Sequence, residues 1–240
     1  MRRNVQILGW TLIWSGLFIF GSLGWQLFGT DLVTAGVQRE AQDELVGNLE
    51  DVREELPDVE QVDLSEYLGD AGEVVGDELP EQVLNHPEEA AETGEAFGFM
   101  RIPKVGLDQV IFAGVDTQTL KQGPGHMERT PLPGQVGNAV ISGHRTTYGR
   151  PFFDFDLLEV GDEIEVETAI GTHIYAIREI LIVEPTDVWV TDPRAGAWLT
   201  LTTCDPKFSA RKRLIVIAEM IDGPNLEFAK LHKERFGEDS

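Results

Sequence analysis

From Ala96 to Met220 the chain is cut into short β-rich runs by glycine and proline, and this punctuation limits the fold more than any other feature. "AFGFMRIPKVGLDQVIFAGVD" holds runs broken at Pro103 and Gly106. "NAVISGH" is another apolar run. "DEIEVETAIGTHIYAIREILIVEP" alternates through two strands with a break at Gly171, and "WLTLTTC" and "KRLIVIAEM" complete the set. Many short strands with such turns predict an all-β sandwich or barrel. Short helices are predicted at "TQTLKQG" and "PFFDFDLL", and no internal repeat is visible.

The segments before and after this region differ in character. No charge lies between Arg3 and Asp31, and the apolar stretch Val5–Phe28 runs for 24 residues. A helix needs roughly 20 to cross the hydrocarbon core. A cleaved signal peptide is the alternative, but its apolar region spans only about 7–15 residues before a small-residue cleavage site. "WQLFGTDLV" is a poor site of that kind. An uncleaved transmembrane helix within residues 1–33 is therefore expected. Trp25 sits where an interfacial ring belongs, whereas Trp14 is too deep. Arg2 and Arg3 place the N-terminus in the cytoplasm and the bulk of the chain outside the cell, as a single-pass protein of the cell membrane.

Residues 34–95 form the acidic part. Between Thr34 and Thr93 there are 19 Asp or Glu against Arg39 and Arg53 alone, which supplies −17 of the net charge of −23. Val37, Ala41, Leu45, Leu49, Val52 and Leu56 fall at helical spacing and predict a helix rising from the membrane until Pro57 ends it. Beyond it the acidic run reads as a solvated tether with a short helix near Leu79–Val83, setting the reach of the β-rich unit at 96–222. A charged tail follows at 223–240. No clustered basic surface suits nucleic acid.

Cys204 is the only cysteine, so no internal disulfide exists. A lone cysteine is by default a small buried hydrophobe. Here it closes the run "TLTTC" and precedes the turn at Asp205–Pro206, with Arg211, Lys212 and Arg213 opening the next run. If the two runs are antiparallel neighbours, Cys204 and Arg213 share one end of the sheet. A cation there favours thiolate, and a guanidinium can donate two hydrogen bonds to a developing oxyanion. Arg211 is the alternative, but Arg213 directly abuts the apolar strand. A cysteine nucleophile usually works with a histidine acid/base. His86 lies in the tether and His232 in the tail, both expected to be solvated; His173 alternates within a strand. His126, in "GPGHM", stays open. His144 follows "NAVISG" directly at a strand end and is preferred.

These segments resemble the sortases, membrane-anchored cysteine transpeptidases of Gram-positive bacteria. "TLTTC" is similar to their TLxTC signature, "ISGHRTTYGRPF" to their histidine segment, and Arg213 before "LIVIA" to their arginine. "IPKVGLDQVIFAGVD", "KQGPGHMERTPLPGQVGNAVISGH" and "LTTCDPKFSARKRLIV" look most like class E sortases of actinobacteria, over about Gly98 to Met220. The resemblance implies a closed eight-stranded sortase-type β-barrel with short helices and no cofactor or metal. Cys204 would be the nucleophile, His144 the acid/base and Arg213 the oxyanion partner, with Thr203 a secondary contact beside the nucleophile. The implied reaction cleaves an LPxTG-like or LAxTG-like sorting signal of a secreted protein between Thr and Gly. It then transfers the acyl group to a cell-wall amine carried on lipid II or peptidoglycan. Val188 and Trp189, in the loop "VEPTDVWVTDPRAGAW", are candidates for lining a substrate groove; plain loop packing is the alternative. A Cys/His peptide hydrolase and a non-catalytic membrane-tethered β-domain are the rival functions.

Overall fold

The computed structural model describes residues 2–25, 29–55 and 91–237. The strands are β1 (Ala96–Ile102), β2 (Leu107–Ala113), β3 (Gly125–His126), β4 (Gly137–Ser142), β5 (Glu163–Thr168), β6 (Gly171–Val183), β7 (Ala197–Asp205) and β8 (Lys212–Asp222). They close into one barrel in the order β1-β2-β3-β4-β7-β8-β6-β5, with β5 pairing back onto β1. The eight-stranded all-β expectation therefore holds.

The two-residue alternation sets which side chains fill the barrel. Leu199 and Leu201 on β7, and Leu214, Val216, Ala218 and Met220 on β8, point into one cluster with Met100, Ile111, Ile141, Ile164 and Tyr175. The Tyr175 hydroxyl accepts the Gly134 amide at 2.7 Å, which meets its need for a partner inside an apolar interior. Most neighbours are antiparallel, but β4 and β7 run parallel, with Gly137 opposite Ala197 and Ser142 opposite Thr202. Both strands therefore deliver their C-terminal ends to one rim.

The helices are α1 (Arg2–Gly24), α2 (Thr30–Glu55), α3 (Thr117–Gln122) and α4 (Leu226–Phe236). Asp116 caps α3 by accepting from the amides of Gln118 and Thr119. In "PFFDFDLL" only a 3₁₀ turn forms, at Phe155–Leu157. Of the apolar stripe predicted for a helix rising from the membrane, Val37, Ala41, Leu45 and Leu49 lie on α2 and dock on the barrel, while Leu56 lies outside the described residues. Leu45 and Leu49 are buried against Phe99, Val110 and Phe112, with Val37 and Ala41 alongside. Gln38 completes the contact: its Nε2 donates to the carbonyls of Val110 and Gln122, and its Oε1 accepts from the Val110 amide. The short helix expected near Leu79–Val83 lies outside the described residues.

The C-terminal segment is not a free tail. In α4, Phe228 and Ala229 are buried. His232, expected to be solvated, is half-buried and accepts the Gly196 amide on Nδ1 at 3.1 Å. At the other end, α1 forms over the segment expected to span the bilayer. Among the described residues, no helix is long and apolar enough to cross a membrane. The apolar run of the sequence continues through residues 26–28, which are not among them.

Candidate active site

Parallel pairing of β4 with β7 explains why two residues separated by 60 positions share a rim. Ser142 and Thr202 are partners, and His144 and Cys204 each follow two residues later. Past the last pair the two backbones stay joined: the Gly143 amide donates to the Thr202 carbonyl at 3.1 Å. Thr203 Oγ1 donates to the Gly143 carbonyl at 2.7 Å. Thr203 is buried, so its hydroxyl binds one strand end to the other and does not face solvent as a substrate contact would. A Cβ on Gly143 would sit 2.6 Å from the Phe152 ring, which stacks on Phe155; only glycine allows the histidine-bearing chain that close.

Antiparallel pairing of β7 with β8 supplies the third group. Cys204 and Arg213 are direct cross-strand partners, as expected. Cys204 is half-exposed and its thiol is free. Arg213 Nη1 donates to the carbonyls of Ala210 and Lys212, both at 3.0 Å, so the guanidinium rests over its own turn. Arg211 lies before β8 and is exposed.

His144 is half-buried. Thr147 Oγ1 lies 3.5 Å from its Nδ1, and the Tyr148 ring lies 5.0 Å away at 43°. Burial pushes the imidazole pKa below its ordinary value, because the charged form loses solvation, and nearby Lys121 pushes it further down. Among the described residues His126 and His173 are held within the barrel, and His86 lies outside the described residues. His126 is buried, with Nε2 against the Pro131 carbonyl at 2.8 Å. His173 is wholly buried in β6 opposite Val166.

The residue that pattern reading missed is Arg145. It follows His144 in a loop that looks polar, yet it is only 3% exposed. Nη1 donates to the Cys204 carbonyl at 3.1 Å and to Asp205 Oδ1 at 2.6 Å, and Nη2 donates to Asp156 Oδ1 at 3.0 Å. One guanidinium therefore fixes the backbone of Cys204 from the residue beside His144. Lys207, bonded to Asp156, holds that carboxyl below the usual carboxylate range, and Arg145 adds to the effect. The sequence signal was a basic residue directly after the strand-end histidine; its burial was not readable.

Val188 and Trp189 lie in the 3₁₀ turn Val188–Thr191 and are exposed, while their neighbour Val190 packs on Ile215 and Ile217. Asn138 Nδ2 donates to the carbonyls of Val190 and Asp192, holding the end of that turn beside the start of β4, away from the rim.

Known proteins agree with this arrangement. The sortase domain family matches residues 100–221, about half of the chain. Sortase SrtE1 of Streptomyces coelicolor is 35% identical over 147 residues, which cover 55% of this chain and 42% of that protein. The solved sortase E from Streptomyces avermitilis is 38% identical with a TM-score of 0.51, over 55% of this chain and 91% of that one. A Clostridium perfringens Sortase D5 transpeptidase is 34% identical with a TM-score of 0.53, over 56% and 84% respectively. A barrel closed in this order, with cysteine, histidine and arginine delivered to one rim, and a family match over nearly all of that barrel lead to one conclusion: the chain belongs to the sortase family, with class E sortases of actinobacteria among its relatives.

Proposed function

We propose that this chain is a cysteine transpeptidase that joins secreted proteins to a cell-wall amine. The observation that carries the reading is the pairing at the rim: Arg213 opposite Cys204, and His144 on the adjoining parallel strand end. Cys204 gives its thiol proton to His144 as Sγ attacks the Thr–Gly carbonyl of an LPxTG-like or LAxTG-like signal. The C–N bond breaks, His144 gives a proton to the departing Gly amine, and an acyl-thioester remains on Cys204. An amine of lipid II or peptidoglycan then attacks, giving its proton to His144, and the C–S bond breaks as the new amide forms. Arg213 donates to the tetrahedral oxygen in both halves. Val188 and Trp189 are exposed but sit on a turn held away from this rim, so the reaction is written without them.

In this reading α1 anchors the enzyme, N-terminus inside and barrel outside. Its support is the uncharged run Val5–Phe28 together with the large exposed apolar side chains of α1, among them Ile7, Trp10, Ile13, Leu17 and Phe20. A helix apolar on all sides suits lipid. Anchoring raises the effective concentration of two substrates that are themselves membrane-bound.

The test is product identity. The full chain in detergent, given LPxTG and LAxTG peptides with an added amine, is expected to yield a ligated peptide by mass spectrometry. Free acid alone would make it a hydrolase, and no turnover of any peptide would defeat the enzymatic reading.

The lowered pKa of His144 gives a second expectation. A neutral imidazole is the form that takes the thiol proton, so activity falls as pH drops through the pKa of His144. The acid limb of kcat/KM should lie below the ordinary imidazole value of about 6.5. Lys121→Met removes a repelling charge, makes protonation easier and should move that limb to higher pH. A limb that stays in place would show that Lys121 does not act on His144.

A further inference from the structure

We propose that Asp31, in the first turn of α2, is a positioning residue that holds the His144 loop in its working shape. This rests on the reading of His144 as the acid/base. The loop turns through three consecutive left-handed residues, Tyr148, Gly149 and Arg150, with φ of 52°, 75° and 47°. Two of them carry side chains, for which that region is uncommon and costly. Such a turn needs outside support.

The support comes from α2. Successive amides of a left-handed turn point into a concavity that suits an anion. Asp31 places its carboxylate there: Oδ1 accepts the Gly149 amide at 3.0 Å and Oδ2 pairs with Arg150 Nε at 3.0 Å. Thr30 Oγ1 accepts the Tyr148 amide at 3.4 Å. Thr34, buried one turn on, donates to the Lys121 carbonyl at 2.9 Å and fixes the helix at this spot. The space beside Gly149 is filled by Thr34: a Cβ there would lie 2.9 Å from Thr34 Cγ2. The turn so held is the one that seats the Tyr148 ring on the His144 ring and Thr147 Oγ1 beside Nδ1. A residue next to the N-terminal apolar helix thereby sets the orientation of the imidazole.

The experiment uses the full chain in detergent and the ligation assay above. A misplacement of a catalytic group costs up to about 100-fold, so Asp31→Ala is expected to lower kcat about 10- to 100-fold with KM within about twofold. Asp31→Asn keeps an acceptor for the Gly149 amide and should recover most of that loss. Should Asp31→Ala fail to fold, as judged by its melting curve, Gly149→Ala disturbs the same turn from the loop side and should give the same kcat loss. A kcat within about twofold of wild type in the folded variant, or a loss confined to KM, overturns the positioning role. Cys204→Ala run alongside separates the two readings: turnover by that variant overturns the transpeptidase itself. An inactive Cys204→Ala with an unimpaired Asp31→Ala overturns only the part assigned to Asp31.

Discussion

Replacing Cys204 with alanine is expected to reduce ligation by at least about four orders of magnitude, the scale seen when a covalent nucleophile is removed. The chain holds no second cysteine that could take over the acyl group. The loss should be chemical and not structural. Cys204 is half-exposed, and the contacts that fix it run through its backbone, which alanine keeps: cross-strand pairing with Arg213 and the Arg145 bond to its carbonyl. Melting curves of the two proteins should therefore overlay. Intact-mass measurement adds a positive sign, because the wild type mixed with signal peptide and no amine should gain the mass of the acyl fragment. Substantial ligation by Cys204→Ala would end the covalent mechanism.

Arg213→Ala should lower kcat/KM by about 10²–10³, the usual loss when one oxyanion donor is removed. Arg213→Lys should recover only part, since an ammonium lacks the planar fork. Nη1 already donates to two turn carbonyls, and a guanidinium has five N–H groups, so donors remain for substrate. Arg211→Ala provides the comparison. That residue is exposed and precedes the strand, so its removal should change kcat/KM by less than about twofold. The reverse ranking of the two arginines would transfer the oxyanion role to Arg211.

Much of this rim was readable from residue pattern, and the reasons are local. "TLTTC" and "KRLIVIAEM" are runs separated by a turn, so their antiparallel pairing and the facing of Cys204 with Arg213 follow from adjacency in sequence. The place of His144 needed more: β4 and β7 are parallel and distant in the chain, and the strand-end position gave the residue but not its neighbour. Arg145 was invisible because pattern reading takes an arginine in a polar loop as solvated, whereas Asp156, Asp205 and the Cys204 carbonyl together compensate its burial. The apolar stripe of α2 was correctly seen, but a stripe reveals that a helix has a face and not what the face meets. Phe99, Val110 and Phe112 lie on strands whose other face fills the barrel, so nothing in their alternation announces a second layer. The burial of Phe228 and Ala229 in α4 was hidden the same way, behind a charged composition.

The seat of α2 on β1 and β2 changes what the acidic stretch can govern. Val37, Ala41, Leu45 and Leu49 lie against the barrel wall, so the part of that stretch which carries them belongs to the barrel's own body. That part cannot act as a leash. A recombinant fragment cut at Gly94 would carry a naked scar of Phe99, Val110 and Phe112, and would also lack Asp31; the smallest faithful unit begins at Thr30.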